Sequence, residues 1–337
     1  MSALVMTRPR LGFLGVGWIG RHRMEAMLGS DAITVAAISD ALPDNSAQAG
    51  ALAPGAVQLD DVDALLEQAL DGIVIATPSA LHAEQSIRAL DRGVAVFCQK
   101  PLGRSRAEVA AVIDAARRAD RLLGVDLSYR GTAGMRAIRE RIQAGELGHV
   151  HAIDLVFHNA YGPDKPWFYD PLLSGGGCVM DLGVHLIDVA LWMLDFPEVE
   201  SIEADLFCKG QPLADRSAQV EDLGLATIRL AGGTVVRIAC SWHLPAGQDA
   251  VIRADFYGSA AGASFRNQNG SFYDFSADLL RGTQRERLTE PGDAWGGQMA
   301  TLWAQQLARS NRYDPDCEKL IALAAIIDGI YEAAART

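Results

Sequence analysis

Through the first 130 residues, apolar runs alternate with stretches of helical period. Residues 10–15, RLGFLG, are a short apolar run closed by glycine, and residues 18–29 carry Ile19, Met24, Met27 and Leu28 in a broadly helical pattern. AITVAAISD is β-rich and stops at Asp40; DVDALLEQAL is helical, DGIVIAT a strand, and PSALHAEQSIRALDRG a helix ended by Gly93. VAVFCQ is the next strand. SRAEVAAVIDAARRAD opens on Ser105 with Glu108 three residues later, the pattern of a capping box, and RLLGVDLSY is a further strand. Strands alternating with single helices predict parallel βαβ units with helices on both faces. Residues 1–128 are therefore expected to form an α/β domain with a doubly wound parallel sheet. In such sheets ligands sit beyond the carboxyl ends of the strands.

The texture changes after RIQAGELG. HVHAIDLVFHNA reads as a strand, followed by the polar and aromatic loop YGPDKPWFYDPLLSGGG and the helix CVMDLGVHLIDVALWML. From about residue 199, β-rich segments succeed one another, and two helices near 295–309 and 317–334 finish the chain. Residues 129–337 are expected to form an α+β domain on a large, open, mainly antiparallel sheet.

Composition narrows the possible partners. The 337 residues are 49 % hydrophobic and 21 % charged, enough for a full core, and the net charge is −12. That balance disfavours nucleic acid and anionic membranes, which are held by clustered Lys and Arg. The five cysteines (Cys98, Cys178, Cys208, Cys240 and Cys317) lie far apart with no C-x-x-C pair, as expected of reduced thiols in a cytoplasmic protein, and no metal set is evident. The opening residues lack the features of a signal peptide, and no run reads as a membrane span of roughly 20 apolar residues.

GVGWIG supplies Gly15-x-Gly17-x-x-Gly20 between a predicted strand and a predicted helix, the context in which such a loop binds a dinucleotide. Asp40 ends the second strand 25 residues after Gly15, where an acid accepts from ribose hydroxyls and repels a 2′-phosphate. No arginine follows in DALPDN, so NAD is preferred over NADP. The alternative for Asp40 is an ordinary strand-terminal turn. Lys100, in FCQKP, ends a strand and is followed by a proline that biases it towards extended backbone. It reads either as a solvated edge residue or as a charged tip at the ligand end of the sheet. Asp181 and His185 lie four apart on one helix face, with three glycines ahead of them that allow close backbone approach. They read as a surface ion pair, as two metal ligands lacking a third, or as a catalytic pair in which the histidine exchanges a substrate proton.

Taken together and in order, the glycine loop, IATPSALH, QKP and SGGGCVMDLGVHLID resemble the Gfo/Idh/MocA family of oxidoreductases over nearly the whole chain. The resemblance implies reversible hydride transfer between a nicotinamide and a secondary hydroxyl or ketone of a sugar, cyclitol or related polyol. It maps the family's lysine onto Lys100 and its D-x-x-x-H pair onto Asp181 and His185 as catalytic residues. Gly15, Gly17, Trp18, Ile19, Gly20, Asp40, Thr77, Pro78, His82, Gln99 and Lys100 become the expected cofactor contacts. Tyr129, Arg130, His158, Asn159, Tyr161 and Trp167 become candidate substrate contacts, each with an ordinary loop or core role as the alternative. The family also implies a homodimer or homotetramer, and a Lys–Pro bond that is often cis. One departure stands out: Gln99 replaces the family's glutamate, keeping a hydrogen-bonding side chain but losing a charge beside Lys100. The same fold hosts NAD-dependent glycosidases and non-catalytic dinucleotide-binding regulators, which remain the alternatives.

Overall fold

The computed structural model describes residues 8–292 and 295–335. The chain divides into two compact units. One comprises residues up to 103, 107–127 and 296–320; the other comprises 104–106, 128–295 and 321 onward.

The first unit carries six strands, β1 (Arg10–Leu14), β2 (Thr34–Ser39), β3 (Val57–Leu59), β4 (Gly72–Ile75), β5 (Ala95–Cys98) and β6 (Leu123–Val125). All pair in parallel, in the order β3-β2-β1-β4-β5-β6. The helices between them are α1 (Trp18–Gly29), α2 (Pro43–Leu52), α3 (Val62–Leu66), α4 (Ser79–Asp91) and α5 (Arg106–Ala119). This is the doubly wound order in which the strand sequence reverses beside β1. Two of these elements have no apolar signature in the sequence. β3 is three residues long and largely exposed, and α2 buries only Ser46 and Ala49, so neither shows the period that betrays a core face.

Helix Gln298–Arg309, far along the chain, belongs to this unit. Its Trp303 lies where Cβ atoms on Gly72 and Gly124 would stand 2.7 and 2.6 Å from the indole. The two glycines thus open a slot in the sheet face. Trp303 and Leu307 complete the cluster of Leu11, Phe13, Val74 and Phe97. The expected division at 128/129 assigns this helix to the second half.

In the second unit nine strands form one sheet: β7 (Val150–Asn159), β8 (Val199–Cys208), β9 (Gln211–Pro212), β10 (Leu223–Leu230), β11 (Val235–Ser241), β12 (Ala250–Gly258), β13 (Gly262–Asn267), β14 (Phe275–Arg281) and β15 (Gln284–Thr289). The order is β15-β14-β13-β12-β7-β11-β10-β8-β9, and the β7–β11 pair alone is parallel among these described strands. Alternation sorts its faces: Ile153, Leu155 and Phe157 are buried on the side covered by helices. Asp154, Val156, Arg237 and Ala239 line a groove of about 330 Å³ on the other. Sequence reading places the last strand at SFYDFS, whereas the paired segments are β14 and β15. β15 reads QRERLT, a charged edge strand without apolar alternation, whose Arg285 and Arg287 pair with Asp278 at 3.2 and 2.8 Å.

The stretch Pro171–Met193 is, contrary to expectation, long and apolar enough to cross a membrane by length and composition, but 89 % of its most apolar window is buried inside the protein. It is a core segment of the second unit, made of helix Pro171–Ser174, the glycines 175–177, the π-helical turn Val179–Gly183 and helix Val184–Met193.

Truncating Trp303 to Ala leaves the slot beside Gly72 and Gly124 empty. The expected cost is about 3–5 kcal/mol of unfolding free energy in urea titrations, as for a large buried aromatic.

Candidate active site

The carboxyl edge of the first sheet carries the glycine loop that follows β1 and Asp40, which follows β2. Gly15 adopts φ +80, its N–H donates to Ser39 O at 2.8 Å, and a Cβ there would stand 2.6 Å from the Ala76 carbonyl carbon. Only glycine fits that turn. A Cβ on Gly20 would lie 2.1 Å from Gly15 O, so α1 packs directly against the loop. At Gly17, by contrast, the nearest atom would be Asn45 Nδ2 at 4.0 Å. That space is open for a ligand to meet the backbone. Gly17 caps α1 without a side-chain bond and no acid stands in the first turn, which leaves N–H groups and the positive helix end for phosphate. Trp18 is 56 % exposed and Ile19 half-buried at the same turn.

Asp40 is tied to this loop. Its Oδ2 accepts from Val16 N at 2.6 Å, and its Oδ1 from Leu42 N at 2.9 Å and Asn45 Nδ2 at 3.0 Å. Arg21, which sequence reading passed over, donates to Val16 O at 2.9 Å and Asn45 Oδ1 at 3.3 Å. It comes from α1 and not from the DALPDN segment, so a search along the chain after Asp40 misses it.

Thr77 and Pro78 follow β4, and Lys100 follows β5 with a cis peptide to Pro101. His82, expected as a cofactor contact, is instead sealed below these loops. It is 2 % exposed, with Nε2 2.7 Å from Thr77 O and Nδ1 2.7 Å from Pro101 O. Burial holds its pKa below the usual histidine range, against the pull of both carbonyls. It sits between the two loops, and as a neutral ring it donates to one of the two carbonyls. Gln99 is 6 % exposed and donates from Nε2 to Asp126 Oδ2 at 2.7 Å.

In the second unit Asp181 lies in a π-helical turn, Val179–Gly183, that runs into helix Val184–Met193 carrying His185. Such wide turns recur at functional sites. Glu221 holds the start of this segment: its Oε1 accepts from Gly177 N and Val179 N, both at 2.9 Å, and from Tyr331 Oη at 2.8 Å. The glycines of SGGG are explained by this crowding. A Cβ on Gly176 would lie 1.9 Å from Tyr331 Oη, and one on Gly177 1.8 Å from Glu221 O. Trp242 Nε1 donates to Asp181 Oδ2 at 3.2 Å. Sequence alone does not reveal Glu221 or Trp242, because both sit in strand-like segments remote from the Asp–His motif.

The candidate substrate residues separate. Tyr129 is a buried wall, not an exposed sugar ligand: it meets His185, Phe157, Phe265 and Phe275 edge-on, 5.3 Å from His185, and burial alone raises its phenol pKa. Arg130 is likewise committed. Its Nε donates to Asp188 Oδ2 at 2.8 Å and its Nη2 to Oδ1, in a forked pair beside Trp192 and Phe196. Burial pushes the Asp188 carboxyl up, and Arg130 opposes that.

His158 pairs with Ser241 Oγ at 2.8 Å and stands on the opposite sheet face from Phe157, Cys240 and Trp242, so alternation removes it from the Asp181 side. Asn159 is on the Phe157 side, and its Oδ1 is buried without a hydrogen-bond partner. Tyr161 is 55 % exposed and donates to Asp249. Trp167 stacks on Phe168 at 3.8 Å, and Phe168 and Tyr169 both meet Trp242 edge-on, at 6.3 and 5.6 Å. An aromatic wall therefore ends at the residue that holds Asp181. No cluster of three or more His, Cys, Asp or Glu with metal-binding geometry occurs among the described residues.

Glu221 supplies a pH test. Burial raises its pKa above the unfolded value of about 4.3. A raised acid pKa means the native state holds the extra proton, so this contribution is present below about pH 4.3 and is lost as pH rises through the folded pKa. Glu221→Gln keeps the accepting oxygen and removes the titration. Urea unfolding across pH is expected to show a flatter profile in the variant than in the parent.

The model of the NAD-binding Rossmann fold of this oxidoreductase family matches residues 9–127, and that of the GFO/IDH/MocA C-terminal domain matches residues 135–264. D-glucoside 3-dehydrogenase of Escherichia coli (strain K12) is 26 % identical over 297 residues, covering 85 % of this chain and 84 % of the relative. A 3-ketoreductase from Actinomadura kijaniata, solved with NADP and TDP-benzene, superposes with a TM-score of 0.82 at 21 % identity over 97 % of this chain and 98 % of that one. Levoglucosan dehydrogenase with NADH gives 0.82 at 20 % identity over 98 % of both chains. With both halves matched and the glycine cradle fitted to a dinucleotide, the chain belongs to the Gfo/Idh/MocA family of NAD(P)-dependent oxidoreductases, whose members act on CH–OH groups of sugars and cyclitols.

Proposed function

We propose that the protein reversibly oxidises a secondary hydroxyl of a sugar, cyclitol or related polyol, with NAD preferred over NADP. The observation that carries this is the Asp181–His185 turn, held by Glu221 and Trp242, in a chain that also presents Lys100 at the carboxyl edge of a dinucleotide sheet. Gly15, Gly17, Gly20 and Asp40 would hold the dinucleotide, with Trp18, Ile19, Thr77, Pro78 and Gln99 around it. Bound there, it supplies the acceptor or donor of hydride.

His185 takes the hydroxyl proton through its imidazole, whose orientation is braced by the Tyr129 ring. Lys100, the lysine of the family motif, would supply a hydrogen-bond donor that stabilises charge growing on a substrate oxygen. Asp181, oriented by the Trp242 indole N–H, accepts from a neighbouring substrate hydroxyl. Asn159 Oδ1 is a second acceptor for substrate, since burying it without a donor is costly. The aromatic wall of Trp167, Phe168 and Tyr169 suits the apolar face of a sugar ring.

Asp40 supports NAD, because its carboxylate is locked to the glycine loop where a 2′-phosphate would meet it. The open face of the nine-stranded sheet suits assembly into a homodimer or homotetramer. The five cysteines carry no disulfide, consistent with a cytoplasmic setting.

The test is NADH appearance at 340 nm with inositols, aldoses and sugar acids, NADP being run in parallel. Lys100→Met and His185→Ala are each expected to lower turnover by at least about 100-fold while NAD affinity stays within about threefold. Turnover that survives either change removes that residue from the chemistry. Asp40→Ala is expected to lower the preference for NAD over NADP by at least about tenfold.

A further inference from the structure

One hydrogen bond away from Gln99, the residue before Lys100, the first unit buries a charged pair that the proposed chemistry does not use. Arg23, on α1, is 1 % exposed and donates from Nε to Asp126 Oδ2 at 2.5 Å; Asp126 is also 1 % exposed. The same Oδ2 accepts from Gln99 Nε2 at 2.7 Å. Gln99 follows β5 and directly precedes Lys100, and Asp126 follows β6. A carboxylate only accepts, so this bond assigns the amide: Nε2 is committed to Asp126, and Oε1 is the polar atom left to meet a ligand. Residue 99 therefore keeps the acceptor character of a carboxylate oxygen without its charge. The charge itself stands one hydrogen bond away, balanced by a buried guanidinium.

We propose that Asp126, held by Arg23, is a positioning residue that turns Gln99 Oε1 towards a hydroxyl of the nicotinamide half of the dinucleotide. In the β3-β2-β1-β4-β5-β6 order each half of the sheet takes one mononucleotide, and β4 to β6 serve the half opposite the glycine loop and Asp40. An accepting oxygen at the end of β5 recognises a hydroxyl donor there. Arg23 links this couple to α1, the helix whose free N-terminal N–H groups would meet the phosphates. The inference rests on dinucleotide binding by the first unit and not on the polyol chemistry.

The test is calorimetric titration of the full chain with NAD and, separately, with ADP, which lacks the nicotinamide half. Gln99→Glu places two carboxylates in hydrogen-bond reach with one guanidinium to share. Asp126→Asn leaves Arg23 without its counter-charge and lets the residue 99 amide pair by either end. The double variant, Gln99→Glu with Asp126→Asn, restores one acid, one amide and one guanidinium. Gln99→Glu is expected to raise the Kd for NAD by about tenfold and to leave that for ADP within about twofold. The double variant is expected to return NAD binding to within about threefold of the parent.

If Asp126→Asn alone does not fold, the comparison of Gln99→Glu with the double variant carries the test. Parent-like NAD binding in Gln99→Glu, or no recovery in the double variant, overturns the proposal. Equal losses for NAD and ADP overturn it as well, because they assign the couple to propping the fold.

Discussion

Parallel strands deliver their carboxyl ends to one edge, and the chemistry of the first unit depends on that constraint. Gly15 follows β1, Asp40 follows β2, Thr77 follows β4, Lys100 follows β5 and Asp126 follows β6. These five residues span more than a hundred positions of sequence, yet the hydrogen-bonded ladder places them along a single border. Below the border, buried side chains fill the space between the loops: His82 packs between the Thr77 and Pro101 carbonyls, and Asp126 joins Arg23 of α1 to Gln99. The lysine is therefore carried on a backbone braced from both sides.

The second unit solves a different problem, holding an aspartate and a histidine in place on a segment that begins with three glycines. Backbone so permissive needs outside support. Glu221 gives it with one oxygen that accepts three bonds, and the small glycines let Tyr331 come close enough to share that oxygen. Trp242 then orients Asp181, while Tyr129 packs edge-on to His185. A sheet whose alternation sends Asn159 to this side and His158 to the other decides which polar residues can take part.

Much of this was legible from short-range pattern. Strand–helix alternation, the glycine loop and Asp40 announce the parallel sheet because each is a local signal. Strand β3 and helix α2 gave none, since neither buries an apolar face, and the Trp303 slot depends on glycines some fifty residues apart meeting a helix near the end of the chain. The site residues follow the same rule. Lys100, Asp181 and His185 stand in motifs, whereas Arg21, Asp126, Glu221 and Trp242 act through partners distant in sequence. The chemistry of Tyr129 and Arg130 suggests substrate contact, but burial and the Asp188 pair commit them to packing. Gln99 looked like a lost charge only while Asp126 was out of view.

The central claim, direct hydride transfer from a polyol carbon, is tested most directly by isotope. A sugar or cyclitol deuterated at the carbinol carbon is incubated with the protein and NAD, and the nicotinamide product is examined by mass spectrometry and NMR. The account predicts NADH carrying the deuterium at C4, with no label exchanged from solvent. Unlabelled NADH, or label that returns to a cleaved sugar with no net NADH, would contradict it.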